Sequence, residues 1–271
     1  MNTRHLYWAL PALLYACGQQ AGSGQQQDAP PADSLAVAIH NMRTDLAIQP
    51  DNTELRTWLA NALIEHQEFA GADSQANVLA GVPGKLPQAL YIRGLIALRQ
   101  QDSVKSIDLL RSAIHIQQDS SEYEAVMLTA DMLAARGSRA DAVDYYRLAA
   151  RIDSTSAEAP FLAGECLVQS KQPAAGLQQF QEAIRRDPAY APAYIGIGNQ
   201  LAETGNWKEA VASYNMAAKA DPTSAEAFYH RGKALLVLGN KAAGLDDLSK
   251  ALSFRKNYPE AQHLLDSAKN L

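Results

Sequence analysis

Between Ala191 and Ser224 the small and apolar positions Tyr194, Ile197, Gly198 and Leu201 fall on one face of a helix with 3.6 residues per turn. Gly205 and Asn206 close that helix, because both residue types tolerate the left-handed backbone of a C-terminal cap. The pattern restarts at Trp207 and runs through Ala210, Tyr214 and Ala217. Asp221 and Pro222 stop it, since proline has no amide hydrogen and disfavours helix at the residue before it. The segment predicts two helices joined by a tight turn. Shifting it by 34 residues reproduces the pattern at 225–258, 157–190 and 123–156, then, after two extra residues at Ser121 and Glu122, at 87–120 and 53–86.

The register is tested by its small positions. The eighth holds Ala60, Gly94, Ala130, Gly164, Gly198 and Gly232; the twentieth holds Ala72, Ser106, Ala142, Gly176, Ala210 and Gly244. The twenty-seventh holds Leu79, Ala113, Ala149, Ala183, Ala217 and Ala251, so seventeen of the eighteen are small. Small residues belong where helices cross at close range, and Leu110, Tyr146, Phe180, Tyr214 and Leu248 at the twenty-fourth position fill the space beside them. A fixed period of this length predicts an all-α solenoid whose units stack to bury a shared core. Residues 33–52 then read as an N-terminal capping helix, stopped by Gln49-Pro50-Asp51-Asn52, and 259–271 as a C-terminal one with a stripe of Ala261, Leu264, Leu265 and Ala268. The second helix of the first repeat, ahead of Gly81-Val82-Pro83-Gly84, is the weakest element predicted.

The small-large pattern, the Gly-Asn turn and the Asp187-Pro188 and Asp221-Pro222 ends resemble tetratricopeptide repeats over about 220 residues. The resemblance implies a right-handed solenoid of about six helix-turn-helix repeats. Arg93 and Arg231 depart from it, standing at the seventh position, usually apolar.

Ahead of the repeats, Arg4 precedes a short apolar run from Leu6 to Ala16, too short for a bilayer span and suited to a signal peptide over residues 1–16. Leu14-Tyr15-Ala16-Cys17 resembles the lipobox of bacterial lipoproteins, which implies cleavage before Cys17 and its acylation. Residues 18–32, GQQAGSGQQQDAPPA, lack the apolar bulk to fold and read, with Cys17, as an acylated tether over 17–32. Such a tether reaches roughly 20 Å. Gly18 is not the Asp that resembles an inner-membrane retention signal, which favours the outer membrane and leaves its periplasmic or surface side open.

Composition narrows the function. The 24 basic and 29 acidic residues give a net charge of -5 with no basic run, which argues against nucleic acid. The six histidines are scattered outside metal-ligand spacing, and there is no phosphate loop or nucleophile elbow. Cys166 is left as a lone, quiet thiol on a first helix. No enzyme, metal or cofactor is expected.

The resemblance places binding on the concave surface lined by first helices. Its fifth position holds Thr57, Tyr91, Met127, Phe161, Ile195 and Tyr229, an apolar row that forms a groove floor or packs between neighbouring first helices. Beside it stand Glu124, Glu158 and Glu226 at the second position and Asp131, Glu165, Asn199 and Lys233 at the ninth. That groove suits a protein or peptide ligand with apolar anchors and Lys or Arg. The family's dicarboxylate clamp is excluded, because Thr57 and Ile195 stand where its Lys belongs, with Ile92 and His230 in place of its second Asn. The expectation is a lipid-anchored adaptor docking cell-envelope proteins. Its rivals are a pilotin-like factor for a secretin or type IV pilus and a structural component of outer-membrane assembly.

Overall fold

The computed structural model describes residues 34–269. The signal peptide, Cys17 and the tether lie outside the described residues. Every regular element described is helical: fourteen α-helices and one 3-10 turn at 118–120. The chain divides into two compact units between Ser121 and Glu122, where the 34-residue register slips by two.

In the first unit, the cap α1 (Ser34–Ile48) packs on α2 (Thr53–Glu65), followed by α3 (Phe69–Ala80), α4 (Leu86–Arg99) and α5 (Ser103–Gln117). Asn52 and Asp102 cap α2 and α5, each accepting from a backbone amide three residues on, at 3.0 Å. The second helix of the first repeat, expected to be weak, is the regular α3, held by Ala72, Ala76 and Leu79, all fully buried. Tertiary burial outweighs its poor intrinsic propensity.

The second unit alternates first helices α6 (Tyr123–Ala135), α8 (Glu158–Gln169), α10 (Ala191–Glu203) and α12 (Ala225–Val237) with second helices α7 (Arg139–Ile152), α9 (Pro173–Arg186), α11 (Trp207–Ala220) and α13 (Lys241–Phe254). Pro259–Lys269, α14, closes its end against α13. Successive first helices α8, α10 and α12 also touch one another, whereas the second helices are spread apart, so the first helices line the inner side of this unit.

The register explains the core. All residues at the eighth, twentieth and twenty-seventh positions are buried. Gly198 shows why: a Cβ there would meet the Tyr214 ring at 2.4 Å. Phe180 is wedged in the same way between Gly164 and Gly196. Burying an aromatic of this size contributes roughly 1.5–3 kcal/mol. Ala202, next to Leu201, is partly covered and packs against the cluster around Tyr214.

The turn between the two helices of each repeat is fixed at the fifteenth position, which has positive φ in all six: Gly137, Gly205 and Gly239, but also Gln67, Gln101 and Lys171. Backbone geometry is held even where the residue type pays a conformational cost for it. Among the described residues no helix is long and apolar enough to cross a membrane.

Candidate functional site

The groove row splits on inspection. Tyr91, Met127 and Ile195 are buried, so packing between helices covers them. Phe161 and Tyr229 stay half-covered. Phe161 lies 5.7 Å from the Phe180 ring and 5.5 Å from Tyr190; Tyr229 lies 5.0 Å from both His230 and Tyr258. Even these two are therefore braced from below. Burial pushes Tyr258 up to about 12, and Glu226 adds to the shift.

A rule not apparent from sequence governs the ninth position. Where the twenty-fourth residue is Tyr, its hydroxyl crosses the repeat and donates to the ninth side chain: Tyr146 to Asp131 at 2.6 Å and Tyr214 to Asn199 at 2.8 Å. Burial raises the pKa of both phenols, and the Asp131 charge raises Tyr146 further, so both remain donors. Where the twenty-fourth residue lacks a hydroxyl, the ninth lacks that donor. Asn61, opposite Ala76, leaves a buried Oδ1 without a hydrogen bond. Glu165, opposite Phe180, is open to solvent yet crowded by neighbouring atoms, and desolvation first and Glu226 second hold its carboxyl above the usual range. Such a carboxylate favours an incoming cation.

Glu124, Glu226 and Lys233 are exposed on the same first helices, and Glu158 is partly covered. Glu226 pairs with Arg255 at 3.0 Å. His230 is stacked on Tyr214 at 5.5 Å, and burial depresses it to about 4 against the opposing pull of Glu226. The first helices of the second unit carry six carboxylates against two basic side chains, while its second helices carry nine basic against six acidic. The inner layer is acidic and the outer one basic.

The seventh-position arginines are each absorbed by a partner. Arg231 donates to both oxygens of buried Asp247 at 2.6 and 2.7 Å, and to Asn215 at 2.8 Å. Arg93 reaches Asp73 at 2.9 Å and Asn77. Cys166 is buried, and burial pushes its thiol up, which suits packing rather than nucleophilic chemistry. Among the described residues no cluster of His, Cys, Asp and Glu has the makings of a metal site.

Residues 198–239 match a family model described as TPR repeat, and residues 115–157 one described as tetratricopeptide repeat. Stacked helix pairs with this register define a repeat solenoid, and the chain is a tetratricopeptide-repeat protein. The crystal structure of MamA aligns at TM-score 0.53 and 21% identity, covering 60% of this chain and 94% of that one. That of YrrB, described as a TPR protein with an unusual peptide-binding site, aligns at TM-score 0.51 and 21% identity, covering 68% and 91%. MamA 41-end from Desulfovibrio magneticus RS-1 aligns at 0.54 and 16%, covering 65% and 98%. At these identities the likeness is one of fold. No curated protein matches the chain.

Proposed function

We propose that the chain is a membrane-anchored scaffold that docks other cell-envelope proteins through the inner face of its second unit. The Leu14-Tyr15-Ala16-Cys17 sequence supports a lipid anchor at Cys17, and the repeats support binding rather than catalysis. Glu165 carries the reading of the groove: an acidic side chain on the inner face with no hydrogen-bond partner, its charge raised in energy by its surroundings. A Lys or Arg of a partner segment fits beside it, with Phe161 and Tyr229 offering apolar contact. The peptide-binding site named for YrrB is consistent with this use of the fold.

The test is crosslinking and pull-down from native envelopes with wild type, Glu165→Lys and Glu165→Gln. Charge reversal should abolish capture of a defined set of envelope proteins, and the neutral change should weaken it. Because Glu165 is exposed, both variants should keep wild-type helicity; capture identical in all three would overturn the groove assignment. Cys17→Ala should release the protein from the membrane fraction, and retention would overturn the anchor.

A further inference from the structure

The outer layer of the second unit contains a cleft of about 710 Å³ between α7 and α9. Both helices pack on the first helix α8 that lies between them. Four arginines line it, Arg147 and Arg151 from α7 and Arg185 and Arg186 from α9, against the single carboxylate of Glu182. Basic residues in the last turn of a helix complement its dipole, which accounts for the sign of Arg151, Arg185 and Arg186. It does not account for the convergence of two helices' arginines on one concavity, nor for Arg147, which lies a turn further in.

The four are not equivalent. Arg186 is the fixed floor: its Nη1 donates to the carbonyls of Ala150, Asp153 and Ser156 at 3.0, 3.2 and 3.2 Å, and its Nε to Glu182 at 2.7 Å. Glu182 also pairs with Arg185, so one carboxylate is shared between two guanidinium groups. Arg147 is 3.7 Å from the exposed Asp144, a pair worth little in water. Among the side chains that line the cleft, basic groups outnumber the one carboxylate, in a chain of net charge -5.

Three features choose the occupant. Guanidinium forks match carboxylate and phosphate oxygens in pairs. Gln178 and Gln181 add amide donors and acceptors of the kind that read a peptide backbone. No large apolar side chain of α7 or α9 is exposed, whereas a helix layer that lies on a bilayer presents apolar side chains to it. We propose that this cleft binds an extended acidic segment of a partner protein, with Arg147 and Arg185 taking its carboxylates and Gln178 and Gln181 its backbone. The site lies on the second helices and does not depend on the groove of the first.

The experiment uses the full chain and a fluorescein-labelled oligoglutamate peptide, read by anisotropy at low and physiological ionic strength. Oligoglutamate should bind, more weakly as salt rises, and the Arg147→Glu/Arg185→Glu pair should lower affinity by at least about tenfold. Both side chains are exposed at their ends. The milder Arg147→Gln/Arg185→Gln pair should fall between, and Lys241→Glu, in the same layer outside the cleft, should change nothing; circular dichroism checks the fold of each. Absence of peptide binding, or equal binding by the charge-reversed pair, overturns the proposal. So does capture by phosphatidylglycerol vesicles in place of the peptide, which would make the face a lipid contact. Salt-sensitive self-association lost in the same pair also overturns it, since the occupant would then be the acidic inner layer of a second copy.

Discussion

Each unit places an arginine at the seventh position of one repeat, and the surroundings of the two differ. Arg93 of α4 reaches back to Asp73 and Asn77 on α3, with side chains 30% and 47% exposed for the Arg93–Asp73 pair. Arg231 of α12 reaches back to Asn215 on α11 and forward to Asp247 on α13, and that ion pair is 19% and 4% exposed. The same side chain is a surface tie in one unit and a buried clamp in the other. Position in a repeat thus sets where a side chain points, and the neighbouring helices set what it is worth.

The largest expected effect follows from that difference. Asp247→Ala leaves the largely covered Arg231 with Asn215 and the Phe228 ring but no carboxylate and should cost about 3–5 kcal/mol, whereas Asp73→Ala should cost under about 1 kcal/mol. Urea unfolding followed by Trp207 in a Trp8→Phe/Trp58→Phe background reads the second unit, and Trp58 with the other two replaced reads the first. Equal losses would break the comparison. Restoration of most of the stability by Arg231→Leu/Asp247→Leu would sharpen it, showing that the clamp guards against an unpaired charge more than it adds stability.

A smaller, pH-dependent effect belongs to His230. It faces the Tyr214 and Tyr229 rings, Glu226 and Lys233. Its folded pKa of about 4 lies below the ordinary 6.5, so the unfolded chain takes up a proton first as the solution is acidified. The neutral ring's contribution is complete above pH 6.5, shrinks as pH falls through that value and is gone below about 4. His230→Gln should remove a pH-dependent part on the order of 3 kcal/mol from the second unit between those limits. An unaltered profile in His230→Gln would place the titrating group elsewhere.

The smallest effects test the turns. Lys171→Gly in the second unit and Gln67→Gly in the first relieve a left-handed residue and should each stabilise by up to about 1 kcal/mol, after the extra unfolded-state entropy of glycine. Thermal unfolding measures both. A loss at either site would show that its side chain makes a contact worth more than the strain.

These results also mark how far the sequence can be read. The small positions were legible because their spacing is set by helix geometry and a constant repeat length, and the two-residue slip at Ser121 and Glu122 falls where the units divide. The left-handed Gln67, Gln101 and Lys171 carry no signal in their residue type; only their register with Gly137, Gly205 and Gly239 points to them. The groove was legible as a row but not as a site. Burial of Tyr91, Met127 and Ile195 depends on how neighbouring helices lean, and the tie from Tyr146 to Asp131 spans the thickness of a repeat. The partners of Arg231 lie sixteen residues away in both directions, where local pattern has no purchase.

The tyrosine tie has one more consequence. Because a hydroxyl on the second helix decides whether the ninth side chain of the first is occupied or available, the chemistry offered to a ligand is adjustable from the back of the repeat. Exchange of Tyr and Phe at Tyr146, Phe180 or Tyr214 alters a single oxygen and leaves the inner surface itself untouched. A lineage carrying such repeats can explore new specificities by hidden, nearly isosteric steps, one repeat at a time.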